Sequence, residues 1–502
     1  MSEEAPSAQK DVIAAPRGDG SPEAPGSSSR GARFARVVIG VAIFLALTQA
    51  VFALQLHRPA AFVVVPLVFA AALGATFRLR TERRIVLALS LLPAMSLVYL
   101  FEWRIAATRP RAATMSARRG VEFDGRSLWE AIRDARAAGK DAFPSIQPRA
   151  LMVLDVEKGI WPDELQNFAL SEHWGVVVDG ERVLPLGGVS NKHIVNCNEG
   201  GTYAVYESDE HGFNNPKGIW TRDTIDVALV GDSFTQAACV GPEEDSAHWI
   251  RQKFPATVNL GMAGNGPLIE LAGLDEYVAP KKPKTVFWIY YNNDLPDLSV
   301  ERQMPLLVRH VEEEVFTQGL AGKQAKIDAA LVDLSARLDA VSPHWPTFLG
   351  SIGLTRQRSP IWLGDLVMAE SQSSASAVMR LDRLTWGLTT RLVQDPLNKP
   401  SDIPYFKRVL ERARDRVASW GGKLHFVYVA DMFYILQYQG KRLHHDREAV
   451  LATVKELGIP LVDTHPVFQA VPDPMSVRFS GESHWNPAGY KLLAEQMLKA
   501  IE

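Results

Sequence analysis

Three long apolar runs stand near the beginning of the chain, at residues 37–56, 59–77 and 85–101. A helix rises about 1.5 Å per residue, so each run is close to the length needed to cross a hydrocarbon core of about 30 Å. The sequence therefore predicts three transmembrane helices within residues 34–103. The first run starts late and is closely followed by a second, which argues against a cleaved signal peptide.

The second half of the chain alternates short β-rich runs with helical stretches. Strands are predicted at 225–230, 258–260, 285–291, 424–429 and 459–462, and helices at 246–254, 267–278, 405–420, 447–457 and 487–501. This alternation is typical of a parallel sheet covered by helices on both faces, an α/β fold in three layers.

Two further stretches flank or interrupt this pattern. The segment at about 297–401 is too long for a connecting loop and has helical periodicity at 323–338. We interpret it as an insertion that could form a lid. Residues 104–222 are predicted to be a linker and a small β-rich lead-in around 174–206. The α/β domain is expected to occupy 223–502.

Charge orients the predicted membrane helices. Residues 1–33 are rich in Ser, Pro, Gly and Ala and predict a disordered cytoplasmic tail. Between Arg30 and Arg119 there are thirteen Arg and no Lys, with a basic cluster in the short loop at 78–84. With the tail and this loop inside, three crossings put the main domain on the periplasmic side of the inner membrane. A two-span hairpin, with the domain in the cytoplasm, is the alternative.

Composition narrows the classes of function. A formal net charge of -3 gives no basic face for nucleic acid. The sequence contains neither a P-loop nor a dinucleotide fingerprint, so no nucleotide cofactor is implied. We interpret the run His444, His445 and Asp446 as a solvated turn before a helix, and we predict no metal site. The two cysteines, Cys197 and Cys239, could pair in an oxidising compartment.

Four short blocks could carry the chemistry. Ser233 follows the first predicted strand in a Gly-Asp-Ser string, where open α/β sheets place their ligands. Gly264 lies in a glycine-rich segment after the second strand, and Asn293 follows the third; backbone N–H groups and an amide there could stabilise an oxyanion. His484 precedes the last helix and could act as a base.

In this order, Gly231-Asp232-Ser233, Gly264, Asn293 and His484 resemble the four signature blocks of the SGNH/GDSL hydrolase superfamily. The resemblance implies a five-stranded SGNH-type sandwich in which Ser233 is the nucleophile and His484 its base. The N–H groups of Ser233 and Gly264 would form the oxyanion hole with the Asn293 amide. With the leading transmembrane helices, the chain also resembles bacterial envelope proteins such as the SGNH-like alginate O-acetylation proteins.

The acid of a catalytic triad departs from the pattern of the family. The position three residues before the histidine, where many members have Asp, is Gly481. Glu482 resembles the closer spacing of the alginate-related group, and Asp463 at the end of the last strand is a rival. A dyad without an acid is a third possibility. His465 is a rival base, because it follows Asp463 by two residues and so repeats the Asp-x-His spacing. His484 is preferred because the terminal helix follows it.

The resemblance implies a membrane-anchored serine esterase or O-acyltransferase that acts on an acylated envelope glycan or lipid. Its expected partners are an acyl ester or carbohydrate substrate, the bilayer and a membrane-bound acyl donor. The alternative is a noncatalytic protein that uses the same fold to bind glycan or a membrane partner. The sequence does not distinguish hydrolysis from transfer, because water and a sugar hydroxyl resolve the same acyl-serine intermediate.

Overall fold

The structure is a computed structural model of the 502-residue chain. It describes residues 27–55, 60–108, 124, 126–157, 170–341, 381, 402–430, 446–479 and 484–501. Its contacts divide the chain into two compact units, residues 1–100 and 101–502.

The first unit is built from apolar helices. They are α1 (Ser27–Gln55), α2 (Ala60–Ala75) and α3 (Thr81–Thr108), of which the last continues beyond the unit. All three are long and apolar enough to cross a membrane, as predicted. Helices α1 and α2 bury small side chains such as Ala42, Ala46 and Ala70, which let the helix backbones approach closely.

Helix α1 begins at Ser27, within the segment predicted to be a disordered tail. Once the apolar run has formed a helical nucleus, extending the helix by further residues costs little. The rest of the predicted tail, residues 1–26, lies outside the described residues.

The lead-in forms a compact set of short elements ahead of the main sheet. In chain order they are α4 (Leu128–Ala137), β1 (Ala142–Pro144), α5 (Pro148–Val153), β2 (Val176–Val178), β3 (Glu181–Val183), β4 (His193–Val195) and β5 (Val205–Glu207). Strand β1 pairs in parallel with β4, β4 pairs antiparallel with β5, and β2 and β3 form a separate antiparallel pair. A capping box between Ser127 and Glu130 begins α4.

The main sheet follows. The elements are β6 (Val227–Gly231), α6 (Ser233–Gln236), α7 (Ser246–Arg251), β7 (Thr257–Asn259), α8 (Pro267–Gly273), β8 (Thr285–Tyr290), α9 (Asp294–Glu301), α10 (Pro305–Glu312), α11 (Leu320–Val341), α12 (Ile403–Ser419), β9 (Lys423–Tyr428), α13 (Arg447–Glu456), β10 (Leu461–Asp463), α14 (His465–Gln469) and α15 (Pro487–Lys499). The strand order is β10-β9-β8-β6-β7, and every neighbouring pair is parallel. The predicted five-stranded parallel sheet between helices is confirmed.

Both faces of this sheet are buried, which explains why its central strands β6 and β8 are almost entirely apolar. On β8, Trp288 and Tyr290 belong to one hydrophobic cluster, while Phe287 and Ile289 belong to the cluster on the opposite face. Alternate side chains of a strand point to opposite faces, so the sheet lies between two helical layers.

The lead-in shares its hydrophobic core with the sheet. Trp129 and Ile194 of the lead-in belong to the same buried cluster as Trp288. The described part of the predicted insertion contributes α11, whose Asp328 accepts hydrogen bonds from the backbone N–H and the hydroxyl of Ser190 at 2.9 and 2.6 Å. The lead-in and the α/β sheet therefore fold as one unit. Residues 342–380 and 382–401 of the insertion lie outside the described residues.

Candidate active site

Ser233 lies immediately beyond the carboxyl end of β6, at the start of the short helix α6. Only glycine fits at position 231, where the chain leaves β6, because a Cβ there would lie 2.0 Å from Thr235 Oγ1 and 2.6 Å from the Ile289 carbonyl oxygen. The Asp232 carboxylate accepts a hydrogen bond from the backbone N–H of Phe234 at 2.9 Å and caps the helix. The local chain path thus holds the Ser233 side chain at the edge of the sheet.

His484 contacts Ser233 directly. Its Nε2 lies 2.9 Å from Ser233 Oγ, across 251 positions of sequence. Both side chains are largely buried, with His484 1% exposed. Asn486 caps α15 by accepting a hydrogen bond from the backbone N–H of Gly489 at 3.1 Å, and Trp485 stacks on Phe468 with ring centroids 4.2 Å apart. These contacts hold the segment that carries the imidazole.

The acidic partner of His484 is Glu199. Its Oε1 lies 2.6 Å from His484 Nδ1, and its Oε2 accepts a hydrogen bond from the backbone N–H of His484 at 3.4 Å. A carboxylate can only accept here, so Nδ1 carries the proton and Nε2 is left to accept the proton of Ser233 Oγ. Glu199, His484 and Ser233 therefore form a continuous chain of hydrogen bonds.

The carboxylate that contacts His484 within the described residues was not among the acids considered from the sequence. Asp463 lies elsewhere, because its carboxylate pairs with Arg447 and accepts the backbone N–H of His465 at 3.1 Å. Glu482 lies outside the described residues. No sequence spacing relates Glu199 to His484, because Glu199 lies in the lead-in, 285 positions before the histidine. Its one local signal was Cys197, two positions earlier.

Cys197 and Cys239 form a disulfide, with their Cα atoms 4.9 Å apart. The sulfur of Cys239, a carboxylate oxygen of Glu199 and a ring nitrogen of His484 all lie within 4.8 Å of one another. The disulfide therefore packs against the acid and the base. Since the Cys239 sulfur is bonded to Cys197, it does not offer a thiolate to a metal ion.

The predicted oxyanion donors lie at the ends of the next two strands. Gly264 has a φ of +76°, a conformation that favours glycine, and a Cβ there would lie 3.3 Å from Arg149 Cβ. Asn293 Nδ2 donates to Asp297 Oδ2 at 2.9 Å, and Asp297 Oδ1 pairs with Arg149 Nη1 at 3.0 Å. Arg149 comes from α5 of the lead-in, which thus supports the Asn293 amide through Asp297.

Gln236 connects the segments that carry Ser233 and Gly264 to the lead-in. Its Oε1 accepts the backbone N–H of Ala263 at 3.1 Å, and its Nε2 donates to Ser145 Oγ and Tyr206 Oη at 3.3 and 3.4 Å. Gln236 is 1% exposed. This buried amide fixes the segment before Gly264 relative to Ser233.

Buried carboxyl groups lie behind the site. Glu301 accepts the backbone N–H groups of Gly266 and Leu268 at 2.6 and 2.8 Å, which anchors the loop that carries Gly264. Burial raises the pKa of Glu301 to about 8 and that of Asp232 to about 6, because the charged form loses its hydration.

Comparisons with known proteins give structural similarities alone. No protein-family model and no curated protein matches the sequence. A lipase/acylhydrolase from Enterococcus faecalis is similar at 12% identity and a TM-score of 0.30, covering 55% of this chain and 95% of that one. An acetyl xylan esterase, AlAXEase, is similar at 11% identity and a TM-score of 0.30, covering 55% and 100%.

A member of the lipolytic protein G-D-S-L family from Veillonella parvula DSM 2008 is similar at 12% identity and a TM-score of 0.29, covering 55% of this chain and 97% of that one. Independently of these scores, a five-stranded parallel sheet bears the predicted serine, glycine and asparagine blocks at one edge, and the histidine block meets the serine there. The described part of this chain is an α/β sandwich with a five-stranded parallel sheet between helices, which fits an SGNH-type fold.

Proposed function

We propose that this protein is a serine esterase or O-acyltransferase that works through an acyl-Ser233 intermediate. The observation that carries the proposal is the chain of contacts from Glu199 through His484 to Ser233 Oγ, with distances of 2.6 and 2.9 Å. This is the arrangement that acyl transfer by a serine requires: a nucleophile, a base and a group that orients the base.

In the first half of the reaction, His484 Nε2 takes the hydroxyl proton of Ser233 as Oγ attacks the carbonyl carbon of the ester. The negative charge on the carbonyl oxygen is stabilised by the N–H groups of Ser233 and Gly264 and by the Asn293 amide. The carbon–oxygen bond of the ester then breaks. The leaving alcohol takes the proton from His484, and the acyl group remains on Ser233.

In the second half, water or an acceptor hydroxyl gives a proton to His484 and attacks the acyl carbon. The bond between the acyl carbon and Ser233 Oγ then breaks, and Oγ takes the proton back from His484. Glu199 stabilises the imidazolium in both halves and keeps the proton on Nδ1. Hydrolysis and acyl transfer share these steps and differ only in which hydroxyl reaches the acyl-enzyme.

The substrate is proposed to be an acylated glycan or lipid of the cell envelope, with the domain on the extracytoplasmic side of the inner membrane. Three apolar helices precede the domain, with a basic loop between the second and third. The disulfide also supports an extracytoplasmic location of the domain, because disulfides persist in oxidising compartments. A membrane-bound acyl donor would be the partner of a transferase.

The experiment is to compare the wild-type protein with Ser233→Ala. Wild type should hydrolyse a short acyl aryl ester and become labelled at Ser233 by a fluorophosphonate, and Ser233→Ala should do neither. A glycan acceptor that increases the consumption of ester and becomes acylated would identify a transferase. Wild type that neither turns over the ester nor becomes labelled would favour a noncatalytic, binding role.

A further inference from the structure

The acid of the site is carried by the turn of a hairpin rather than by the main sheet. Strand β4 ends at Val195 and β5 begins at Val205, so Glu199 lies in the turn between them. The hairpin closes through Asn196 N–H to the Ala204 carbonyl at 2.8 Å and Ala204 N–H to the Cys197 carbonyl at 2.9 Å. The regular pairing therefore stops before Glu199 is reached.

Beyond that point, contacts from outside the hairpin hold the turn, and one of them is the Gly201 carbonyl, which accepts the backbone N–H of Asp124 at 2.7 Å. Asn198 Nδ2 donates to the carbonyl of Asp124 at 3.0 Å, and Gly200 approaches Phe479 so closely that a Cβ would lie 3.0 Å from its ring. The covalent link is the disulfide, which starts two positions before Glu199 and ends six positions after Ser233. The crosslink thus joins the chain segment of the acid to that of the nucleophile.

We infer that the Cys197–Cys239 disulfide is the positioning device of Glu199, so that cleaving it lowers turnover at Ser233 while the α/β core stays folded. The inference rests on the proposed function. A displacement of about 1 Å can lower a rate about 10²-fold, and cleaving the crosslink removes the covalent restraint on the turn that carries Glu199. The sulfur of Cys239 is also a direct neighbour of both Glu199 and His484.

The core is expected to survive the cleavage. A disulfide stabilises a protein mainly by restricting the unfolded chain, whereas the folded sheet is held by two hydrophobic clusters that bury both of its faces. Cleavage by a dithiol takes two electrons and two protons from the reagent. It leaves two thiols on the protein and a disulfide in the reagent.

The test uses the full chain in detergent, in three states: oxidised, reduced with dithiothreitol, and as the double variant Cys197→Ala with Cys239→Ala. Each is prepared with Glu199 and with Glu199→Gln. With Glu199 present, loss of the disulfide should lower kcat for a short acyl ester about 10- to 100-fold and leave KM within about twofold. In Glu199→Gln, where no carboxylate is left to position, it should cause no further loss.

Two controls separate positioning from unfolding. The double cysteine variant should be insensitive to dithiothreitol, and circular dichroism should show the helix and strand content of wild type in all three states. The inference is overturned if the reduced protein, with both thiols confirmed by mass spectrometry, keeps its full kcat. It is equally overturned if Glu199→Gln loses the same factor on reduction, since the disulfide would then act independently of the acid.

A readout without turnover distinguishes failure of this inference from failure of the proposed function. In the oxidised protein, the Nδ1 proton of His484 shared with Glu199 should give a strongly deshielded NMR signal, which should disappear on reduction and in Glu199→Gln. If the oxidised protein neither hydrolyses esters nor reacts with fluorophosphonate, the proposed function fails. Loss of this signal on reduction would still support the positioning, and its persistence would refute it.

Discussion

Glu199 lies 2.6 Å from His484 Nδ1 although 285 positions of sequence separate the two residues. The acid comes from a hairpin that precedes the nucleophile, and the base comes from the segment before the last helix. A fragment that began at β6 would contain Ser233 and His484 but would lack this carboxylate. The lead-in is therefore part of the catalytic unit that we propose.

The first prediction concerns the acid. Glu199→Gln should lower kcat for a short acyl ester by about 10²- to 10⁴-fold, because an amide neither stabilises the imidazolium nor fixes the tautomer of His484 as a carboxylate does. Steady-state kinetics measures the change. The matched control is Glu207→Gln in β5 of the same hairpin, where the carboxylate is exposed and pairs with His193; it should retain nearly full activity.

Glu482 is the acid that the sequence spacing favoured, and its variant tests the assignment to Glu199. If Glu482→Gln abolished activity while Glu199→Gln left it within a factor of a few, the assignment of the acid to Glu199 would be wrong. Both variants should be checked for an unchanged melting temperature before their kinetics are compared.

The second prediction concerns the oxyanion donors. Asn293→Ala should lower kcat by about 10²- to 10³-fold with little change in KM, as expected for a donor that acts mainly in the transition state. Arg149→Met should lower kcat about tenfold. It removes the cation that pairs with Asp297, and Asp297 then positions the Asn293 amide less firmly.

The two changes should not be additive. Once the Asn293 amide is removed, Arg149→Met should cause little further loss of kcat, because the arginine acts through that amide. Independent, multiplying losses in the double variant would show that Arg149 does not act by positioning Asn293.

The third prediction is a pH dependence of stability caused by Glu301. Its pKa is raised to about 8 by burial, against an ordinary value of 4.5. Between these two pH values the unfolded chain releases a proton that the native state keeps. This carboxyl therefore contributes stability that is fully present below pH 4.5 and lost as the pH rises toward 8.

Denaturant unfolding of wild type and Glu301→Gln between pH 5 and 8 measures the effect. The free energy of unfolding of wild type should fall more steeply with pH than that of the variant, by up to about 1.4 kcal/mol per pH unit. Other buried carboxyls, such as Glu270 and Asp294, also have raised pKa values and should leave a residual slope in both proteins. Equal slopes would contradict the assignment to Glu301.

The fourth prediction concerns topology. Alkaline phosphatase, which is active only outside the cytoplasm, should be active when fused after Arg119 or at residue 57, and inactive when fused at residue 80. The basic loop between α2 and α3 is expected to stay inside. Inactivity after Arg119, with residue 80 also inactive, is the result expected of the two-span hairpin; it would place the domain in the cytoplasm and remove the envelope substrate from the proposal.

The sequence by itself determined the features that depend on local patterns. Three long apolar runs predicted the membrane-type helices, and five short apolar runs predicted the strands within one or two residues, because burial on both faces leaves a continuous apolar signature. The position of Ser233, Gly264 and Asn293 after successive strands indicated that they lie together, since parallel strands bring their carboxyl ends to the same edge of the sheet. The meeting of His484 with Ser233 was implied by the resemblance to the SGNH/GDSL superfamily.

Only the tertiary structure decided what supports those residues. Glu199 and Arg149 lie on short elements of the lead-in, and no periodicity or spacing relates them to His484 or Asn293. Their roles arise because the lead-in shares its hydrophobic core with the sheet and is crosslinked through Cys197 beside the nucleophile segment. Contacts of this kind depend on how distant segments pack, and that information is not contained in any local stretch of the chain.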